Sequence, residues 1–218
     1  AQTTFGSLVI SLLVGICAAY VIARKRFQFG MKQPMTYWVL LIRVLPPVAL
    51  VIPLYIMFNQ IGLINTKIPV LLACVLINVP LIIWFLLSFF QDLPDEVEES
   101  AKVDGATEWQ LFYKIVLPLV APGIAAVAML SFMYAWYEYT YTVIFTRSSM
   151  NNTVPLALAL LNTEDSLTNF GLVAAGGVIS VSPITWFVIF VQNYLISGLS
   201  SGAVKGCRAA DRKDILNV

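Results

Sequence analysis

Apolar runs of about twenty residues recur along this chain, separated by short polar stretches. A run of that length, wound as a helix, crosses a hydrocarbon core about 30 Å thick. Composition agrees: 59% of residues are hydrophobic and 11% charged, against roughly 25% charged in a soluble domain. The fold class expected is all-α, a polytopic membrane helix bundle. Its near-zero net charge, with basic residues only in short clusters beside the apolar runs, gives no case for nucleic-acid binding.

Five spans are drawn, at Thr4–Ile22, Met35–Phe58, Ile68–Phe90, Leu119–Phe145 and Phe170–Ser197. The chain opens on Ala1 and enters the first span without the basic lead and small-residue cleavage site of a signal peptide. The expectation is one further N-terminal span in a longer protein. Lys and Arg gather in cytoplasmic loops. Arg24, Lys25, Arg26, Lys32, Lys102, Lys114, Lys205, Arg208, Arg212 and Lys213 fall on one side, Lys67 and Arg147 on the other. Residues 92–118 and the tail 207–218 are therefore placed in the cytoplasm. Histidine is absent, which removes His-based catalysis and most transition-metal sites. Cys17, Cys74 and Cys207 are far apart and form no C-x-x-C pair, so neither a disulfide framework nor a zinc site is indicated.

Pro46, Pro47, Pro53, Pro80, Pro122 and Pro183 lie inside spans. Each removes a backbone donor and bends its helix, a loss tolerated where neighbours satisfy the freed carbonyls. Gly171, Ala174, Ala175, Gly176, Gly177 and Ser180 let a second helix approach the last span closely. Packing within the chain and contact with a partner subunit both fit that stretch.

Between the third and fourth spans lies a polar segment with strong local signals. Asp92 is expected to cap a first helix with Pro94 in its first turn, Asp95 and Glu96 favouring the positive end of the helix dipole. Asp104-Gly105 stops that helix, glycine supplying the left-handed turn. Thr107 and Gln110 form a capping box for a second helix, which Pro118 closes as it opens the next span. Trp109, Phe112, Ile115 and Val116 fall near one face of it. Glu98, Glu99 and Lys102 are placed on the exposed side of the first helix. An interfacial helix lying on headgroups wants a basic polar face; this one is mostly acidic, which favours contact with a soluble partner.

Glu99, Ala101, Gly105, Ile115, Leu117 and Pro118 fit the EAA-x3-G-x9-I-x-LP pattern, and Asp104-Gly105-Ala106 matches a frequent DGA variant. The segment resembles the coupling motif of binding-protein-dependent ABC importer permeases, in particular the carbohydrate-uptake branch that includes the maltose-type permeases. Ser100 replaces the motif's first alanine, a small-for-small change expected still to pack. Pro46-Pro47 with Ile52-Pro53-Leu54-Tyr55, then Ala135-Trp136-Tyr137-Glu138-Tyr139, then Gly198 to Gly206 also resemble stretches of that family in the same order. Tyr137 stands where asparagine is usual. The resemblance makes residues 1–206 a permease transmembrane domain.

What the resemblance implies is a subunit that tilts its spans when ATPase partners close. Glu98, Glu99, Ser100, Ala101, Asp104, Gly105 and Ala106 would make the coupling contact. No Gly-x4-Gly-Lys-[Ser/Thr] loop occurs in the sequence. The chain is thus not expected to be an enzyme or to hold a cofactor; ATP and Mg would sit in two separate ATPase subunits. A second permease subunit, an extracytoplasmic solute-binding protein, the lipid bilayer and a sugar-like substrate complete the expected partners, in a bacterial or archaeal plasma (inner) membrane.

Two charges lie within spans and are costly unless they face protein or water. Arg43 stands about 12 Å along its span and Glu138 about 24 Å along the fourth, at ~1.5 Å per residue, so separate roles are expected rather than an ion pair. Tyr134, Trp136 and Tyr137 surround Glu138. With Arg43 they are the candidate substrate pathway, although aromatic rings also belt the membrane interface. The stretch 146–169, with an apolar patch at Val154–Leu161, fits either a contact with the binding protein or a packed loop. The rival reading of the whole chain is a secondary transporter or channel subunit with an intracellular helical loop.

Overall fold

The computed structural model describes residues 1–24, 32–161 and 171–192. Lys25, Arg26, Phe170, residues 193–206 with the Gly198–Gly206 stretch, and the tail 207–218 with Cys207 lie outside the described residues, as does the side chain of Lys32. All regular elements among the described residues are helical.

Four helices are long and apolar enough to cross a membrane: α1 (Gln2–Ala23), α4 (Ile68–Gln91), α6 (Glu108–Trp136) and α9 (Gly171–Gln192). The expected second span is not one rod. Helices α2 (Lys32–Val44) and α3 (Pro47–Gln60) meet at 90°. The cause is the Pro46-Pro47 pair. Pro46 is extended at φ −65°, ψ 134°, and Pro47 begins a new helix where its missing N–H costs nothing. Pro53, Pro80 and Pro122, by contrast, sit inside helices that continue through them.

Helix α5 (Asp95–Val103) and the start of α6 enclose a turn at residues 104–107. Asp92 does not cap α5. It ends α4, its N–H bonding the Ser88 carbonyl at 2.9 Å, while Pro94 takes the N-cap position with φ −60°, ψ 134°. Nor does Pro118 separate a short helix from the fourth span. Residues Leu111–Val116 widen into a π turn, and the helix runs on through Pro118 to Trp136. At about 1.5 Å per residue, 29 residues measure roughly 43 Å, more than the core of a bilayer. The second arm of the hairpin is the projecting foot of a span. That span then ends at Trp136, short of the expected Phe145, and a separate helix α7 (Thr140–Phe145) follows. Helix α8 (Val154–Leu160) covers the apolar patch.

Small residues set the distances between spans. A Cβ on Gly15 of α1 would stand 2.6 Å from Ile82 of α4, and one on Gly123 of α6 would stand 2.6 Å from the Phe89 ring. These contacts leave no room for a side chain. Asn78 Nδ2 of α4 donates to the Ser131 carbonyl of α6 at 3.4 Å, a polar tie between the same spans. Gly176 of α9 lies against Leu158 of α8, so part of the small-residue stretch serves packing within the chain, whereas Gly177 meets open space.

Candidate functional site

The hairpin between α4 and α6 is built almost entirely from backbone chemistry. Gly105 has φ +80°. Its N–H bonds the Lys102 carbonyl and that of Ala106 bonds the Ala101 carbonyl, both at 3.0 Å. This double reverse bond closes the C-terminus of α5 as a Schellman motif, which needs the left-handed residue at that position. Two residues later Thr107 Oγ1 accepts from the Gln110 N–H at 3.4 Å, and Gln110 Oε1 accepts from the Thr107 N–H at 3.0 Å. A capping box therefore follows the C′ glycine with one residue between them. Lys102 Nζ, 3.8 Å from Glu108 Oε1, links the two arms.

Beneath the turn, Ala101, Leu111, Phe112 and Val116 are buried in one apolar cluster with Ala19, Ile22 and Ala23 of α1 and Leu86 and Phe90 of α4. Ala101 is the small residue that lets α5 lie flat on the spans. Ser100 is exposed, turned by one residue from that face, with its hydroxyl on the Val97 carbonyl at 3.1 Å. It does not pack. Trp109 also departs from expectation: it is 72% exposed and stacks on Tyr113 at 6.2 Å. The π turn rotates the following residues relative to an α-helix, so Phe112 and Val116 turn inward without Trp109.

The largest correction concerns Glu98. Its side chain is largely covered by α1, with Oε1 2.7 Å from Arg24 Nε and accepting from Tyr20 Oη at 3.4 Å. Glu98 is therefore not on the exposed side. Glu99, Lys102, Val103 and Asp104 are exposed there, and with Trp109 and Tyr113 they form an outward tip of mixed acidic and apolar character. Ala106 is half-buried under it.

Of the candidate pathway residues, Arg43, Tyr137 and Glu138 gather around Tyr134 at the opposite half of α6, and Trp136 does not. Arg43 lies over the Trp84 ring at 5.7 Å and shares a cleft with Pro47, Ile77, Pro80 and Tyr134. Tyr134 also lines a neighbouring cleft of about 390 Å³ with Tyr137, Glu138 and Tyr139. Arg43 and Glu138 thus flank one ring, and no ion pair joins them among the described residues. Tyr137 is half-exposed. Trp136 is buried, with Nε1–H donating to the Ser180 carbonyl of α9 at 3.0 Å. Glu138 is buried in the break between α6 and α7. Its carboxylate accepts from the Tyr141 N–H at the start of α7, and its carbonyl accepts from Thr153 Oγ1 at 3.2 Å.

Sequence reasoning missed a clamp at that same end. Asn65, at φ +65°, accepts on Oδ1 from the N–H groups of Arg147 and Ser148 at 2.9 and 2.8 Å, and its own N–H bonds the Phe145 carbonyl. Arg147 Nη2 donates to Tyr55 Oη at 2.7 Å. The available signal was Asn in a short polar turn, since asparagine tolerates the left-handed conformation.

A family model described as binding-protein-dependent transport system inner membrane component matches residues 11–201. A trehalose transport system permease protein of Mycobacterium tuberculosis is 36% identical over 91% of this chain and 72% of its own length. A trehalose/maltose transport system permease protein of Thermococcus litoralis is 34% identical over 87% of this chain and 67% of its own. Among solved structures, a bacterial ABC transporter involved in the import of the acidic polysaccharide alginate superimposes with a TM-score of 0.59. At 20% identity over 88% of this chain and 74% of that one, it shares the fold. These matches leave the secondary-transporter reading without support.

Proposed function

The chain belongs to the binding-protein-dependent transport system inner membrane components, a multi-pass permease and not itself a catalyst, and we propose that it moves a sugar or a related polyol or glycerol-phosphate compound. In this reading a second permease subunit completes the pathway and two ATPase subunits bind ATP and Mg. An extracytoplasmic solute-binding protein delivers the substrate. The hairpin and the tail face the cytoplasm of a bacterial or archaeal cell. Residues 1–206 form the permease domain, with 92–118 as its coupling segment and 207–218 as a tail.

The observation that carries this reading is the tip. Glu99, Val103, Asp104 and Trp109 stand clear of the bundle on a turn fixed by Gly105, while Ala101 and Ala106 seat it on the spans. An exposed tip on a rigid base suits insertion into a cleft of a peripheral protein. Contact residues are Glu99 and Asp104 by charge, Val103 and Trp109 by area. Glu98, Ser100, Ala101, Gly105 and Ala106 act by holding that shape. Gly105→Val or Glu99→Lys is expected to uncouple ATP hydrolysis from uptake with protein levels near normal; full transport in both variants would reject the reading.

A second permease is supported by the exposed face of α2 and α3, where Tyr37, Trp38, Leu41, Val44, Val48 and Ile52 accompany the exposed Arg43. A guanidinium there is costly against lipid and is accommodated against protein or water. Glu138 and the rings of Tyr134, Trp136 and Tyr137 remain the proposed pathway group, together with Arg43. At the Asn65 clamp, α8 and the exposed Met150 offer the surface for the binding protein. Sugar as substrate rests on the relatives' transport of trehalose and maltose.

A further inference from the structure

Resting on the permease reading above, we propose that Arg24 and Tyr20 are positioning residues through which motion of α5 reaches the first span, α1. Arg24 ends that span, its N–H on the Tyr20 carbonyl and its backbone extended at φ −79°, ψ 141°. The guanidinium is one-tenth exposed and lies between two carboxylates of α5. Nε is 2.7 Å from Glu98 Oε1, and Nη1 donates to Asp95 Oδ1 at 3.2 Å. Tyr20 Oη donates to the same Glu98 oxygen at 3.4 Å. Its ring sits 4.9 Å from that of Phe112 on the second arm and 5.6 Å, edge-on, from Phe90 at the end of α4.

The periodicities match. Tyr20 and Arg24 are four apart on α1, Asp95 and Glu98 three apart on α5, so each pair forms one face of its helix. Helix α5 buries a single apolar side chain, Ala101, in the cluster beneath it. Apolar grip on α1 is therefore slight, and the charged contacts supply the direct connection. Arg24 and Glu98 are the covered pair, the Asp95 side chain being 55% exposed; removing one of the two leaves the other uncompensated, which makes the connection resist parting. When the tip is pulled, α1 moves with α5. Without this junction the pull reaches α1 only through the apolar cluster around Phe112 and the covalent continuations into α4 and α6.

The test uses the complete importer in nanodiscs, with Cys17, Cys74 and Cys207 changed to Ser. Nitroxide pairs are placed at Leu13→Cys with Val178→Cys, reporting α1, and at Leu76→Cys with Val178→Cys, reporting α4; all three positions are exposed. Distances are read before and after trapping with ATP and vanadate. Arg24→Ala is expected to lose more than half of the α1 shift while keeping the α4 shift. A full α1 shift in that variant would overturn the proposal. Absence of any shift in the complex with native Arg24 would overturn the permease reading itself. If Arg24→Ala does not assemble, Arg24→Glu combined with Glu98→Arg decides. An assembled complex with the α1 shift regained supports the junction; failure to assemble, or assembly without the shift, overturns it.

Discussion

Two of the interruptions among the described helices, the turn after α5 and the break after α6, are held in opposite ways. The turn between α5 and α6 is closed by neighbours in sequence: Gly105, Ala106, Thr107 and Gln110 satisfy the helix ends within a few residues. The break between α6 and α7 is closed partly by distant groups. Glu138 caps Tyr141 locally, but its carbonyl takes Thr153 from beyond α7, and Trp136 reaches Ser180 of α9. A locally closed turn can stand out from the bundle and be handled by a partner. A break tied to several elements fixes their mutual placement instead. Stability should therefore concentrate at the second interruption and coupling at the first.

Glu138→Ala strikes the second interruption hardest. Removing the acceptor from a buried N–H costs about 2 kcal/mol, read as a lowered thermal midpoint in detergent. Uptake is expected to fall or substrate preference to change. Glu138→Gln keeps an acceptor and should lose less; equal losses would deny the capping role. Next comes Gly105→Val, where the left-handed backbone costs about 1–2 kcal/mol without glycine. Here the loss of uptake per ATP should exceed what the midpoint predicts, and a proportionate loss would erase the contrast. Thr107→Ala removes one half of the capping box, about 1 kcal/mol, with a small fall in uptake. Smallest in stability is Glu99→Lys, within about 0.5 kcal/mol at an exposed site, yet it should uncouple transport from hydrolysis. Unchanged coupling there would move the ATPase contact elsewhere on the tip.

The same division explains what could be read from residues alone. Gly105 and the Thr107–Gln110 box were legible because their partners lie within a turn of the chain. The inward face of α5 was half legible: Ala101 follows Glu98 at i+3, so burial of one implies burial of the other. Its charged partner, Arg24, is 74 positions away and carried no signal. Pro46-Pro47 announced a bend within one span and not the 90° break found there, since residues alone do not say which proline ends a helix and which merely bends it. Trp109 was misplaced because i, i+3 spacing assumes an α-helix, and the π turn at Leu111–Val116 adds a residue to the count. Asn65 was invisible as a clamp because three of its partners lie more than 75 positions downstream.

The uninterrupted course of α6 has a mechanical corollary. A shaft longer than a hydrocarbon core is thick, with its head pinned to α9 through Trp136 and Ser180, has little slack to absorb. Under the permease reading, a sideways nudge at the foot would swing the head the other way, and α9 would follow through Trp136. The compliant place on the shaft is the widened turn at Leu111–Val116, so deleting one residue there would stiffen the drive and reset its phase together.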